Sequence, residues 1–211
     1  MQFYDISVGI KTDMLVWPGD DPVKINWAAR IQDGEMSNIS MIEIGTHAGT
    51  HIDMPLHFID GGASLDDLEL EKLLGIAVVV EVPDSIKVID WDFLEKQNLK
   101  ETKRLLFKTS NSKLWRNPSA EFSQDYVAVD PSGARWLVDH GCQLVGIDYL
   151  SIAPYDQTEE PHEILLSNGV VILESINLDQ VPAGKYELVC LPLNLVGREA
   201  SPVRAILKII I

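Results

Sequence analysis

Short runs of β-branched and aliphatic residues recur along the whole chain, each stopped by Gly, Pro, Asp or Asn. This punctuation is the strongest constraint on its fold. The runs cover residues 42–44, 76–82, 105–107, 144–147, 170–173, 186–191 and 203–211, and they have the length and composition of strands. Helical signals are fewer. Residues 65–74 carry Leu65, Leu68, Leu73 and Leu74 at a helix-compatible spacing and stop at Gly75, which predicts a helix there. Asp90 reads as the N-cap of a helix over 91–97. Asp130, Pro131 and Gly141 supply a cap, a proline at the first helical position and a terminating glycine around Ala134, Trp136 and Leu137. No repeat or linker divides the chain, so residues 1–211 read as a single domain of mixed α/β class, richer in strand than in helix.

Charge narrows the possible partners. Seventeen Lys and Arg face 32 Asp and Glu, a formal net charge of −15. Nucleic-acid affinity comes mainly from cationic side chains that release counterions, so such a partner is excluded. The two cysteines, Cys142 and Cys190, form no CxxC pair; Cys190, in the apolar run Leu188-Val189-Cys190-Leu191, reads as a small core residue, and a reducing compartment fits both. The opening MQFYDISVGIKTDM has no apolar core of a secretory signal. No apolar run approaches the roughly 20 residues that a membrane helix needs. The expectation is a cytoplasmic protein acting on a small molecule, with neither membrane nor nucleic acid as partner.

Three of the five histidines lie within eleven residues, His47-Ala-Gly-Thr-His51-Ile-Asp53-Met-Pro-Leu-His57. A helix would put His47 and His51 on one face, but Gly45, Thr46, Gly49 and Thr50 are poor helix formers and Pro55 forbids continuation. In an extended chain, residues 47, 51, 53 and 57 share one side by parity. His47 and His51 would then stand roughly 13 Å apart at about 3.3 Å per residue, too far to share an ion with ligand bonds of about 2 Å. The backbone must bend between them. Gly45 and Gly49 permit the bend, so a strand is expected to run into a curled loop that turns His47, His51 and Asp53 toward one point. Imidazole with carboxylate suits Zn²⁺ or Mn²⁺, and three protein ligands leave a position open for water, as in catalytic sites. His140, at a predicted helix C-terminus, reads instead as a dipole-stabilised surface residue.

The stretch HAGTHIDMPLHF closely resembles the HxGTHxDxPxHF signature of the cyclase family of metal-dependent hydrolases, which includes bacterial kynurenine formamidases and isatin hydrolases. The turn Val16-Trp17-Pro18-Gly19-Asp20, the run Leu144-Val145-Gly146-Ile147-Asp148 and the C-terminal Ser201-Pro202-Val203-Arg204-Ala205 extend the resemblance over nearly the whole chain. It implies a swivelling β/β/α fold, a homo-oligomer (dimer or tetramer) and a site for two divalent metal ions, Zn or Mn. His47, His51 and Asp53 match ligands of the first ion, with Asp53 bridging to the second. His162 matches the second ion's histidine, and Glu174 the carboxylate shared by both. His57 matches the catalytic acid/base and Trp17 an aromatic that contacts substrate. The segment 109–115 resembles a mid-chain loop of the wider family that shapes the substrate pocket.

The implied chemistry is hydrolysis of an N-formyl arylamine by metal-activated water, with His57 passing a proton to the departing amine. N-formylkynurenine, giving kynurenine plus formate, is the expected substrate. The nearest alternative is a hydrolase or cyclase acting on another cyclic amide or a lactone, isatin-like, with the same site. A non-catalytic metal-binding domain is the rival from another class, and the fourth, non-ligating imidazole of His57 speaks against it. A serine-hydrolase route has no support, because the chain lacks GxSxG.

Overall fold

The computed structural model describes residues 2–99, 101–117 and 121–210. Its elements in chain order are β1 (Phe3–Asp5), β2 (Lys24–Ala29), β3 (Ile39–Glu43), β4 (His51–Asp53), β5 (Leu74–Glu81), β6 (Val88–Ile89), α1 (Trp91–Glu95), β7 (Arg104–Lys108), β8 (Ala128–Val129), α2 (Pro131–Asp139), β9 (Leu144–Ile147), α3 (Glu159–Ser167), β10 (Val171–Glu174), β11 (Gly184–Pro192) and β12 (Ala200–Ile209). The main sheet has the order β1-β12-β11-β5-β7-β9-β10-β4, and β4 also pairs with β12. Seven strands thereby close into a barrel-like sheet, with β1 added along β12.

Strands β5, β7, β9 and β10 run parallel. Parallel strands with both faces covered read as continuous apolar runs, and β9 is buried at every position. One face of these strands, through Leu105, Phe107, Val145 and Ile147, packs under α1, α2 and α3. The other face, through Val79, Leu106 and Leu144, fills the barrel with Leu173, Leu188, Cys190 and Leu207. A helix layer laid on a closed sheet is the strand-rich mixed α/β arrangement expected from the sequence.

The capped helices form where their signals lie. Asp90 accepts from the Phe93 N–H at 2.7 Å, and Asp130 from the Gly133 N–H at 2.8 Å. Gly141 takes φ +72° after α2, and α1 ends two residues short of Gln97. Gly133 also lets α2 approach β6: a Cβ there would stand 2.2 Å from the Ile89 carbonyl oxygen. Gly133→Ala is therefore expected to lower stability by about 1–3 kcal/mol through overpacking, read as a fall in melting temperature.

The helix expected over 65–74 is absent. Two short 3-10 turns, Leu65–Asp67 and Leu70–Leu73, replace it, with Leu68 extended between them (ψ 120°). Ser64 caps the first turn in a reciprocal box with Asp67. The Leu65 N–H bonds the Arg198 carbonyl at 2.9 Å, and Asp66 accepts from the Gly197 N–H at 2.7 Å. These bonds across the molecule outweigh helix propensity, a weak preference of well under about 1 kcal/mol per residue. Leu74 and Gly75 then enter β5 opposite Val189 and Leu188. Gly75 has φ +114° beside the Arg104 guanidinium, so it serves a close approach within a strand and stops no helix. The run expected over 203–211 belongs to β12, which ends at Ile209; Ile211 lies outside the described residues.

Strands β2 and β3 form a separate antiparallel hairpin. Every position of β3 is exposed, Met41 and Ile42 on opposite faces included. Among the described residues no helix is long and apolar enough to cross a membrane.

Candidate metal centre and active site

The chain leaves β3 at Glu43, turns through residues 44–50 and re-enters the sheet as β4. Gly49, at φ +70°, makes the bend and brings the His47 and His51 rings to a 5.0 Å centroid separation. Only His47 sits on the loop. His51 and Asp53, which sequence reasoning placed on the same curl, lie on a three-residue strand held between β10 and β12. Alternation along that strand points both to one side.

His162 and Glu174 arrive from the α3–β10 reversal, where Gly169 turns left-handed at φ +70°. His162 projects from α3, and its Nε2 lies 3.2 Å from Glu174 Oε1, at the end of β10. Asp53 joins the two groups. His47 Nδ1 is 3.0 Å and His51 Nε2 3.4 Å from its Oδ1, while His162 Nε2 is 4.0 Å from its Oδ2. His51 Nε2 is also 3.3 Å from Glu174 Oε2. The result is two triads, His47–His51–Asp53 and Asp53–His162–Glu174, each with one donor atom per residue within 4.8 Å of the others. All five residues named as ligands from the sequence are brought together.

The histidines are oriented from behind. His51 Nδ1 lies 2.8 Å from the Gly49 carbonyl and His162 Nδ1 2.7 Å from the Thr158 carbonyl. A carbonyl only accepts, so in both rings Nδ1 holds the proton and Nε2 offers a lone pair to the cluster. Glu174 Oε1 takes one further bond, from the Ile152 N–H at 2.7 Å.

The buried charge tests whether this site suits a cation. Both Asp53 oxygens and His51 Nε2 are buried without a hydrogen-bond partner among the described residues. Burying polar groups unpaired is costly, and ionised ones more so. Among the described residues Asp53 and Glu174 form ion pairs with histidines only. Burial pulls the His47 pKa down, but Asp53, with Glu174 and Glu199, overcomes it and raises it to about 9. Burial likewise opposes the ionised form of Asp53, yet His47 and His51 hold its carboxyl below the usual range. Protons are being recruited to offset the carboxylates, and a hard or borderline divalent cation would do the same more completely. The donor set of imidazole and carboxylate fits such a cation.

His57 stands outside both triads, on the 3-10 turn Pro55–His57. Its ring is 4.0 Å from that of His47 and 6.1 Å from that of His162. Burial, with His47 and His162 as like-charged neighbours, lowers its pKa against the pull of Asp53 and Glu174. It lines a cavity of about 170 Å³ together with His47, His162, Glu174, Phe58 and Trp17. Phe58 stacks on His162 at 4.4 Å. Trp17 packs edge-on against Phe122 at 5.1 Å and lies 5.7 Å from Tyr155, so it faces the cavity from an aromatic wall.

The segment expected to shape the pocket acts one layer back. It forms a 3-10 helix, Ser110–Arg116, whose Leu114 and Trp115 pack with Trp17 and Phe122. Buried Asp148 anchors it by accepting from the N–H and hydroxyl groups of Thr109 and Ser112. His140 stays away from the cluster, stacked on Trp136 at 3.8 Å. Sequence reasoning missed Glu199, whose Oε1 accepts from Thr46 Oγ1 at 2.6 Å and lies 3.6 Å from His47 Nε2. No local signal marks it, because only the pairing of Ala200 with Asp53 brings it there.

Comparison with known proteins bears on the family and the fold. The family model described as "Putative cyclase" matches residues 4–154. The chain is 39% identical to the kynurenine formamidase of Salinibacter ruber, over 99% of this chain and 98% of that one. It is 40% identical to cyclase-like protein 2 of Arabidopsis thaliana, over 98% and 79%. A solved structure titled a predicted metal-dependent hydrolase from Bacillus stearothermophilus superposes with a TM-score of 0.84 at 32% identity, covering 98% of this chain and 97% of that one. The resemblance first carried by HAGTHIDMPLHF thus extends to sequence and fold over the full length, and the chain belongs to the cyclase family.

Proposed function

We propose that this protein is a metal-dependent amide hydrolase of the arylformamidase type, converting N-formylkynurenine to kynurenine and formate. The observation that carries this reading is the pair of triads sharing buried Asp53, with the fourth imidazole of His57 beside them in a cavity walled by Trp17. His47, His51 and Asp53 would hold one ion and Asp53, His162 and Glu174 a second, Zn²⁺ or Mn²⁺. When bound, such ions acidify water toward neutral pH and polarise a carbonyl. His57, kept neutral by burial, offers a nitrogen that takes up the proton of the attacking water and returns it to the departing arylamine. Trp17 presents a flat apolar face to the aryl ring. Site residues drawn from positions 17 to 174 support one catalytic domain spanning the chain. Free, buried Cys142 and Cys190 support a reducing, cytoplasmic setting.

The purified protein loaded with Zn²⁺ or Mn²⁺ is expected to release kynurenine and formate from N-formylkynurenine; no turnover would sink the assignment. Similarity to a cyclase-like protein as strong as that to a formamidase favours a second reading, opening of a cyclic amide. Turnover of isatin alone would select it.

The β2–β3 hairpin supports a homo-oligomer. A two-stranded hairpin is marginal on its own in water, yet this one exposes Trp27, Ile39, Met41 and Ile42. Residues 24–43 carry two basic and three acidic side chains, so two copies of an otherwise strongly anionic chain can meet there with little repulsion. Met41→Asp combined with Ile42→Asp is expected to convert a dimer or tetramer into monomer, measured by light scattering. A monomeric wild type would refute this.

A further inference from the structure

We propose that Glu199 is a positioning residue for His47, and that its charge strengthens cation binding at the His47–His51–Asp53 position alone. This rests on the reading of the cluster as a divalent-metal centre. Three imidazoles face the cluster, each with one nitrogen toward a carboxylate of the site and the other turned away. Behind His51 and His162 the outward nitrogen meets a backbone carbonyl, at 2.8 and 2.7 Å. Behind His47 it meets a carboxylate, Glu199 Oε1, at 3.6 Å. That separation exceeds a hydrogen bond, so the contact acts through charge.

Glu199 is held in place on three sides. Its Oε1 accepts from Thr46 Oγ1 at 2.6 Å. Its backbone carbonyl accepts from the Met54 N–H at 2.8 Å, and the next residue, Ala200, pairs with Asp53. The same β4–β12 seam therefore sets Asp53 and the carboxylate behind His47. An anion behind a ligating imidazole raises its basicity as a donor; losing a hydrogen-bonded partner of this kind typically costs about 10–100-fold in metal affinity, and a carboxylate at 3.6 Å that acts through charge alone belongs at the low end of that range. His162 and Glu174, on α3 and β10, have no such contact with Glu199 among the described residues.

Glu199→Gln separates charge from shape, since the amide oxygen still accepts from Thr46. Zn²⁺ alone, titrated into metal-free protein against a chromophoric chelator, provides the readout. One of the two bound equivalents is expected to weaken about tenfold in E199Q, with the other within about threefold of wild type. Equal weakening of both, or of neither, overturns the assignment. A wild type that binds no Zn²⁺ overturns the metal reading itself, which is a different failure. Should E199Q melt lower than wild type without metal, Thr46→Val decides: it keeps the charge but frees it, and an unchanged affinity there overturns the proposal.

Discussion

Asp53→Asn protein is expected to carry neither ion and to retain about one-thousandth or less of the wild-type kcat/KM. Asp53 is the only residue common to both triads, so its loss removes a donor from each at once. It is fully buried between β10 and β12, where no water replaces the missing charge. The lost catalysis follows from the lost cations: Lewis-acid stabilisation is worth several kcal/mol, and about 4 kcal/mol corresponds to a thousandfold. Elemental analysis of protein purified without chelator checks the first half and N-formylkynurenine turnover the second. Chelated wild type should lose activity to the same extent and recover it on adding Zn²⁺ or Mn²⁺, whereas Asp53→Asn should not recover. A variant that keeps two ions would show that Asp53 is no bridge.

His57→Ala is expected to give the opposite division, full metal content with kcat lowered by about 10²–10⁴-fold, the usual range for a lost general acid or base. The separation is meaningful because His57 touches the site without belonging to either triad. Its ring packs against His47 at 4.0 Å, and removing it leaves all five triad donors in place. Loss of metal in His57→Ala would make His57 a ligand and reverse its role. Survival of turnover would return the proton transfer to solvent.

Much of this was readable because its causes are local. Strand β9 covers the run at 144–147 without a shift, since a parallel strand buried on both faces leaves an unbroken apolar signature. Helix α2 follows Asp130, Pro131 and Gly141 because caps act within a turn. The leucines at 65, 68, 73 and 74 misled, because bonds from Arg198 and Gly197 decide that segment and lie more than 100 residues away. Of hairpin β2–β3 only the run at 42–44 left a mark, overlapping the end of β3 (Ile39–Glu43), since a strand exposed on both faces has little alternation to read. His162 and Glu174 each look ordinary alone and required the family signature, because their meeting depends on the α3 crossover. Glu199 depends on register across the barrel, which spacing along the chain cannot express.

The barrel has a weak point where its ends meet. Strand β4 is three residues long, yet among the described strands it is the one that pairs with both β10 and β12, backed by the bonds of Ile6 and Ser7 to residues 176, 177 and 205, and two of its three residues are His51 and Asp53. The ion that Asp53 of β4, His162 of α3 and Glu174 of β10 would hold would be a rivet through the join as well as a reagent. Stripping it should let the β4 amides exchange hydrogen first, ahead of β5, β7 and β9, so that the fold's zip opens where its chemistry is done.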